Sequence, residues 1–106
     1  MVNGRNKGLS FERAIANELK CIFPDCKRHL EFQFQTALGF DLDNTGALKI
    51  QCKKFKKYAP ISCLKEVKAI GIPVLITAGD REKPVACLYL DDFIRILKDI
   101  GEAYRE

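Results

Sequence analysis

The stretch from Asp41 to Lys53, Asp-Leu-Asp-Asn-Thr-Gly-Ala-Leu-Lys-Ile-Gln-Cys-Lys, restricts the fold of this chain more than any other. Asn44, Thr45 and Gly46 are turn-forming residues. After them Leu48, Ile50 and Cys52 alternate with Lys49, Gln51 and Lys53, which is the pattern of a strand with one apolar and one polar side. A hairpin at residues 44–46 brings Asp41 back beside Lys49 and diagonal to Gln51, on that polar side. A carboxylate, an amide oxygen and an ammonium then lie within a few ångströms of one another. The two oxygens are hard ligands suited to Mg²⁺, with Mn²⁺ as a substitute. Lys53 is suited to orienting an attacking water or to stabilising charge on a phosphate under attack. The chemistry indicated is phosphodiester hydrolysis. Asp43 shares the side-chain parity of Asp41 and competes for the same role, but it abuts the turn, where Asp commonly caps local backbone groups; Asp41 is preferred.

On these residues the chain resembles the PD-(D/E)XK nucleases, whose core is an acid in one strand and an acid-X-Lys in the next. Asp41 matches the first acid and Gln51-Cys52-Lys53 the second motif, with Gln51 where Asp or Glu is commoner; a Gln-X-Lys form is known in restriction-type branches. The run Lys7-Gly8-Leu9-Ser10-Phe11-Glu12 is similar to the start of the Holliday junction resolvases, in which a Lys-Gly precedes a first-helix Glu that supplies another metal-associated acid. Read without that resemblance, Glu12 is a first-turn acid favourable to the helix dipole. The resemblance implies a restriction-endonuclease-like α/β domain that cleaves DNA with Mg²⁺. It implies oxygens of Asp41, Gln51 and Glu12 gathered around one ion, with Lys53 alongside. It also implies four-way junctions as substrate and a homodimer with two active sites. Two other readings stay open: a restriction-like or phage-type nuclease without junction preference, and a DNA-binding module whose metal chemistry ended with Gln51.

The 106 residues suffice for one domain, 1–106, with residues 1–7 expected to form a flexible arm. No apolar run approaches the roughly 20 residues that cross a bilayer. The chain shows no basic start followed by an apolar signal core, so no membrane partner and a cytoplasmic, intracellular setting are expected. The five cysteines include no Cys-X-X-Cys pair; Cys21, Cys26 and His29 lack a fourth zinc ligand at sensible spacing, and reduced thiols are expected. The net charge of +4 is unevenly spread. Residues 1–68 carry 13 Lys or Arg against 7 Asp or Glu, and residues 69–106 carry 5 against 7. The basic excess therefore accompanies the motif, the sign needed to attract a polyanion. Lys54, Lys56 and Lys57 follow Lys53 directly and are expected to contact phosphates, with Tyr58 or Phe55 stacking on an unpaired base. Arg5 and Lys7 in the arm are further candidates for phosphate contact.

Periodicity supplies the remaining elements. A helix from Ser10 presents Phe11, Ile15, Leu19 and Ile22 as its apolar stripe, with Glu12 beside it. Alternation predicts a half-buried strand over 30–36, and the chain stays extended from Leu38 to Asp43. Pro60 opens a helix that buries Ile61, Leu64 and Val67 before Gly71. Strands follow at 72–78 and 85–90, and Asp91 caps a last helix carrying Phe93, Leu97, Ile100 and Tyr104. The order α-β-β-β-α-β-β-α describes a mixed sheet flanked by helices. Apolar residues of the last two strands and the final helix are available for a dimer interface.

Overall fold

The expected strand at the motif forms as β3, Leu48–Lys54, and the other elements arrange around it. The computed structural model describes residues 4–29, 38–54, 60–79 and 81–101, with side chains from residue 9 onward. In chain order the described elements are α1 (Gly4–Leu19), β1 (Lys27–Arg28), β2 (Leu42–Asp43), β3, α2 (Pro60–Lys65), β4 (Ile72–Ala78), β5 (Val85–Cys87) and α3 (Leu90–Ile100). β3 pairs in parallel with β4, with Gln51 opposite Leu75 and Lys53 opposite Thr77; β5 pairs antiparallel with β4. This is a mixed α/β sheet in a single domain. α2 lies on the crossover between the two parallel strands, as a parallel pair requires.

A short antiparallel pair, β1 with β2, adjoins this sheet. The junction is Asp41. Its backbone N–H donates to the Ile50 carbonyl at 2.8 Å, and its carbonyl accepts from the His29 N–H at 2.7 Å. The hairpin between Asp41 and β3 turns through Asn44 and Gly46, both at positive φ (65° and 60°), where Asn and Gly are best tolerated. Thr45 closes it. Its hydroxyl donates to the Leu48 carbonyl, and its own carbonyl accepts the Leu48 N–H.

The two faces of β3 are covered by different helices. Ile50 and Cys52 pack in one cluster with Phe11, Ile15 and Ala16 of α1 and Val74 of β4. On the other face Leu75, the neighbour of Gln51, packs with Cys63 and Leu64 of α2. Ile50 and Leu75, at 2% and 0% exposure, centre the two layers; full burial of such side chains contributes about 1.5–3 kcal/mol each.

Several expectations shift. α1 begins at Gly4, not Ser10, and takes in the backbone of residues 4–7 that the sequence assigned to an arm. A potential cap residue favours a helix start but does not forbid helix before it. The helix stops at Leu19, where the N–H groups of Ile22 and Phe23 fold back onto the Leu19 carbonyl. Ile22 is thereby turned outward, 69% exposed, and Phe23 packs against the core in its stead. Ile61 is also exposed, because in so short a helix Cys63 and Leu64 fill the contact with Leu75. Leu38 is helical, not extended. The last strand spans only Val85–Cys87, and Asp91 lies inside the first turn of α3, where with Asp92 it faces the positive end of the helix dipole; Tyr89 occupies the cap position. The expected strand over 30–36 and the position of Tyr104 lie outside the described residues.

Gly39 marks a close approach of two backbones. It has φ +76°, and a Cβ there would collide with the Glu66 carbonyl and crowd the Val67 Cα. Beside it the Lys68 N–H donates to the Leu38 carbonyl at 2.9 Å. The segment after α2 is thus locked against the segment leading to Asp41. Gly39→Ala is expected to destabilise the fold by more than about 1 kcal/mol, combining left-handed strain with backbone displacement. A denaturation midpoint equal to that of the wild type would contradict this.

Candidate metal and nucleic-acid site

The polar side of β3 is only partly a surface. Gln51 is 3% exposed, whereas Lys53 is half-buried. The Gln51 Nε2 donates to Glu66 Oε2 at 3.0 Å, and the same oxygen lies 3.8 Å from Lys53 Nζ. Gln51 Oε1 is buried and has no hydrogen-bond partner among the described residues. A buried acceptor left unmatched costs roughly 1–3 kcal/mol, so this oxygen is a site where a donor or cation is favoured.

Asp41 lies one residue further along β3 than a pairing with Lys49 would put it. Its Oδ2 accepts from the Cys52 N–H at 2.8 Å. Burial pushes its carboxyl above the ordinary range; the Cys52 N–H, Lys53 and Arg28 pull it back, while Glu66 adds to the rise. Asp43 takes a different role, with its Oδ1 2.7 Å from His29 Nδ1 beside the β1–β2 pair. Between the two competing acids, Asp41 is the one in the electrostatic field of Glu12, Lys53 and Glu66.

Glu12 is buried on α1, at 9% exposure, beside the apolar stripe as its spacing predicts. Its Oε2 accepts from Arg28 Nε at 3.2 Å. Burial raises its pKa first, and the Asp41 carboxylate raises it further; the Arg28 bond and the charges of Arg28 and Lys53 oppose this. Buried Glu12 and half-buried Asp41 thus share one electrostatic neighbourhood with Arg28 and Lys53.

The four expected residues are not gathered on one face. Glu12 belongs to the α1 layer with Cys52, and Gln51 belongs to the α2 layer with Leu75 and Glu66. Asp41 and Lys53 interact electrostatically with acids of both layers. Among the described residues, no three His, Cys, Asp or Glu side chains form a metal-holding group.

The basic residues divide similarly. Lys54 Nζ sits 5.5 Å from the centroid of the Phe11 ring, a cation–π arrangement on the α1 face. Lys56, Lys57, Phe55 and Tyr58 lie outside the described residues, as do the side chains of Arg5 and Lys7. The sequence reading passed over a second basic cluster. Arg13, Lys20, Lys27 and Arg28 line a concavity of about 220 Å³ floored by Ala16 and Cys26. Arg13 on α1 and Lys20, the first residue past its end, are seven residues apart, close to two helical turns, and that was the available signal. Arg28 joins this concavity to the site, since it also holds Glu12. Glu66 was also missed; neither its position after a short helix nor its charge distinguishes it in sequence.

The five cysteines are free. Burial, followed by the charges of Asp41 and Glu12, drives the Cys52 thiol far up from its ordinary range, so it remains protonated at neutral pH. No described helix is long and apolar enough to cross a membrane. Comparisons with family models, curated proteins and solved structures find no match for this chain.

The raised carboxyl of Asp41 has a consequence for stability. An acid whose folded-state pKa is raised contributes stability below its unfolded value, and the contribution is lost as pH rises through the folded value. Asp41→Asn keeps an oxygen for the Cys52 N–H but removes the charge. The variant is expected to melt above the wild type at pH 8, with the difference disappearing near pH 3. A melting temperature below the wild type at pH 8 would contradict the electrostatic assignment.

Proposed function

We propose that this chain is a Mg²⁺-dependent DNA endonuclease of the PD-(D/E)XK kind, acting on branched DNA as Holliday junction resolvases do. The observation that carries the reading is the buried, unmatched Gln51 Oε1 on the strand face it shares with Lys53, with the half-buried carboxylate of Asp41 bonded to the next residue of that strand. Both oxygens favour a cation, and the Gln-X-Lys spacing supplies the ammonium beside them. Asp41 and Gln51 would hold the ion, with Glu12 acting through water from the α1 layer. When bound, Mg²⁺ supplies charge stabilisation at the phosphate and lowers the pKa of water. Mn²⁺, with the same preference for oxygen donors, would serve in its place.

The chain's own residues have separable roles. Lys53 donates hydrogen bonds and positive charge where negative charge grows on the phosphate. Asp41, held by the Cys52 N–H, would keep a fixed orientation toward the ion. Arg28 holds Glu12 and contributes one edge of the basic concavity, where Arg13, Lys20 and Lys27 would neutralise neighbouring backbone phosphates. Lys54, Lys56, Lys57, Arg5 and Lys7 extend the phosphate contacts, and Tyr58 stacks on an unpaired base.

The Glu12–Arg28 ion pair favours a second reading, a DNA-binding module without metal chemistry, because it gives Glu12 a cation already. Incubating supercoiled plasmid and a synthetic four-way junction with and without Mg²⁺ separates the readings. Cutting of the junction alone supports a resolvase, cutting of both a nuclease without junction preference, and binding without cutting the module. Lys53→Ala is expected to lower kcat by about 100-fold or more while DNA affinity stays within a few-fold. Retained cleavage would remove Lys53 from the mechanism.

A homodimer would pair two such sites on opposite strands of a junction. Its interface would use the apolar surface of α3, which has no buried residue and exposes Leu90, Phe93, Ile94 and Ile100. Exposed apolar area of this kind marks interaction surfaces. Phe93→Lys is expected to convert a species of twice the chain mass to monomer in sedimentation. An unchanged mass would exclude this surface.

A further inference from the structure

Gln51 ends in an amide whose two halves have opposite hydrogen-bonding character. Only one half is matched. Nε2 donates to Glu66 Oε2, and Oε1 is buried without a hydrogen-bond partner among the described residues. A 180° turn of the amide would set Oε1 against the Glu66 carboxylate, acceptor facing acceptor. Glu66 therefore determines which end of the amide points away from it.

The carboxylate is itself held by the fold. The backbone carrying it is clamped where Gly39 meets the Glu66 carbonyl and where the Lys68 N–H bonds the Leu38 carbonyl. The Glu66 N–H donates to the Cys63 carbonyl at 3.0 Å, the last turn of α2. One oxygen of Glu66 thus contacts two residues of β3, Gln51 at 3.0 Å and Lys53 Nζ at 3.8 Å. The exposed ion pair alone would count for little. The bond to a buried amide differs, because Gln51 has lost water as an alternative partner.

We infer that Glu66 is a positioning residue for the proposed nuclease site: it fixes the Gln51 amide with its oxygen directed away from Glu66, and supplies beside it the negative charge that position 51 lacks. This rests on the nuclease reading for its catalytic consequence, but not for the amide orientation. Because a carboxylate at 51 would face that of Glu66, Gln51→Glu alone is disfavoured. Exchanging the two groups, Gln51→Glu with Glu66→Gln, restores a donor–acceptor pair with the charge moved onto the strand.

The test combines a measurement on the metal-free protein with kinetics. In nitrogen–proton spectra of the full chain, one side-chain amide proton of Gln51 is expected downfield and slow to exchange with solvent. Glu66→Ala should lose both properties, and Glu66→Asp should retain part of the protection. In plasmid cleavage, Glu66→Ala, which removes the acceptor, is expected to lower kcat about 10–100-fold with little change in KM, the size typical of residues that orient a ligand side chain. The exchanged double variant should exceed Gln51→Glu alone. Amide signals of Gln51 unchanged in Glu66→Ala overturn the proposal, and lost protection with undiminished cleavage overturns its catalytic part. If the wild type cuts no DNA, the nuclease reading and the catalytic part fail together, and the spectra alone decide the orientation.

Discussion

The main-chain and side-chain bonds of Asp41 hold this molecule together at one point. Its N–H, its carbonyl and its carboxylate bond Ile50, His29 and Cys52 in turn, so a single residue stitches the β1–β2 pair to the edge of the larger sheet. Buried backbone groups must find partners, and at this seam three of those bonds converge on one residue. The same convergence fixes a carboxylate with little freedom to move. Orientation that a flexible surface acid would have to acquire on binding is already present, which lowers the entropy cost of engaging a ligand.

Much of this was legible in the sequence. The alternation from Leu48 to Lys53 gave the strand, and Asn44-Thr45-Gly46 gave the turn, because both depend on local geometry. The place of Glu12 beside the stripe of α1 followed from helical spacing, and its burial agrees. Contacts across layers were less visible. Ile22 and Ile61 fit their helical periods yet face outward, since each period was continued past what packing could use. Glu66 joins Gln51 through the meeting of Gly39 with the Glu66 backbone; Gly39 hinted at a close approach but not at its partner. Parity put Gln51 and Lys53 on one side of β3 correctly, but could not foretell that α1 and α2 would cover opposite sides and divide Glu12 from Gln51.

The electrostatics make the site costly to maintain. Glu12 is buried and Asp41 half-buried, both acids are raised by desolvation, and Arg28 and Lys53 only partly offset this. Gln51 adds a buried acceptor with no donor among the described residues. Polar groups kept in unfavourable surroundings are characteristic of functional places, where stability is given up for reactivity or binding. The two hydrophobic layers on either side of β3 supply the stability that tolerates it.

Cys52 gains an unplanned use from its position. Its N–H holds Asp41 while its thiol is sealed in the α1 layer, protonated and shielded from reagents. Thiolate chemistry at this position requires β3 to part from α1, so the labelling rate of this one sulfur reports how often the strand opens. Cys21, exposed on the same molecule, provides the built-in reference for a thiol that is always accessible.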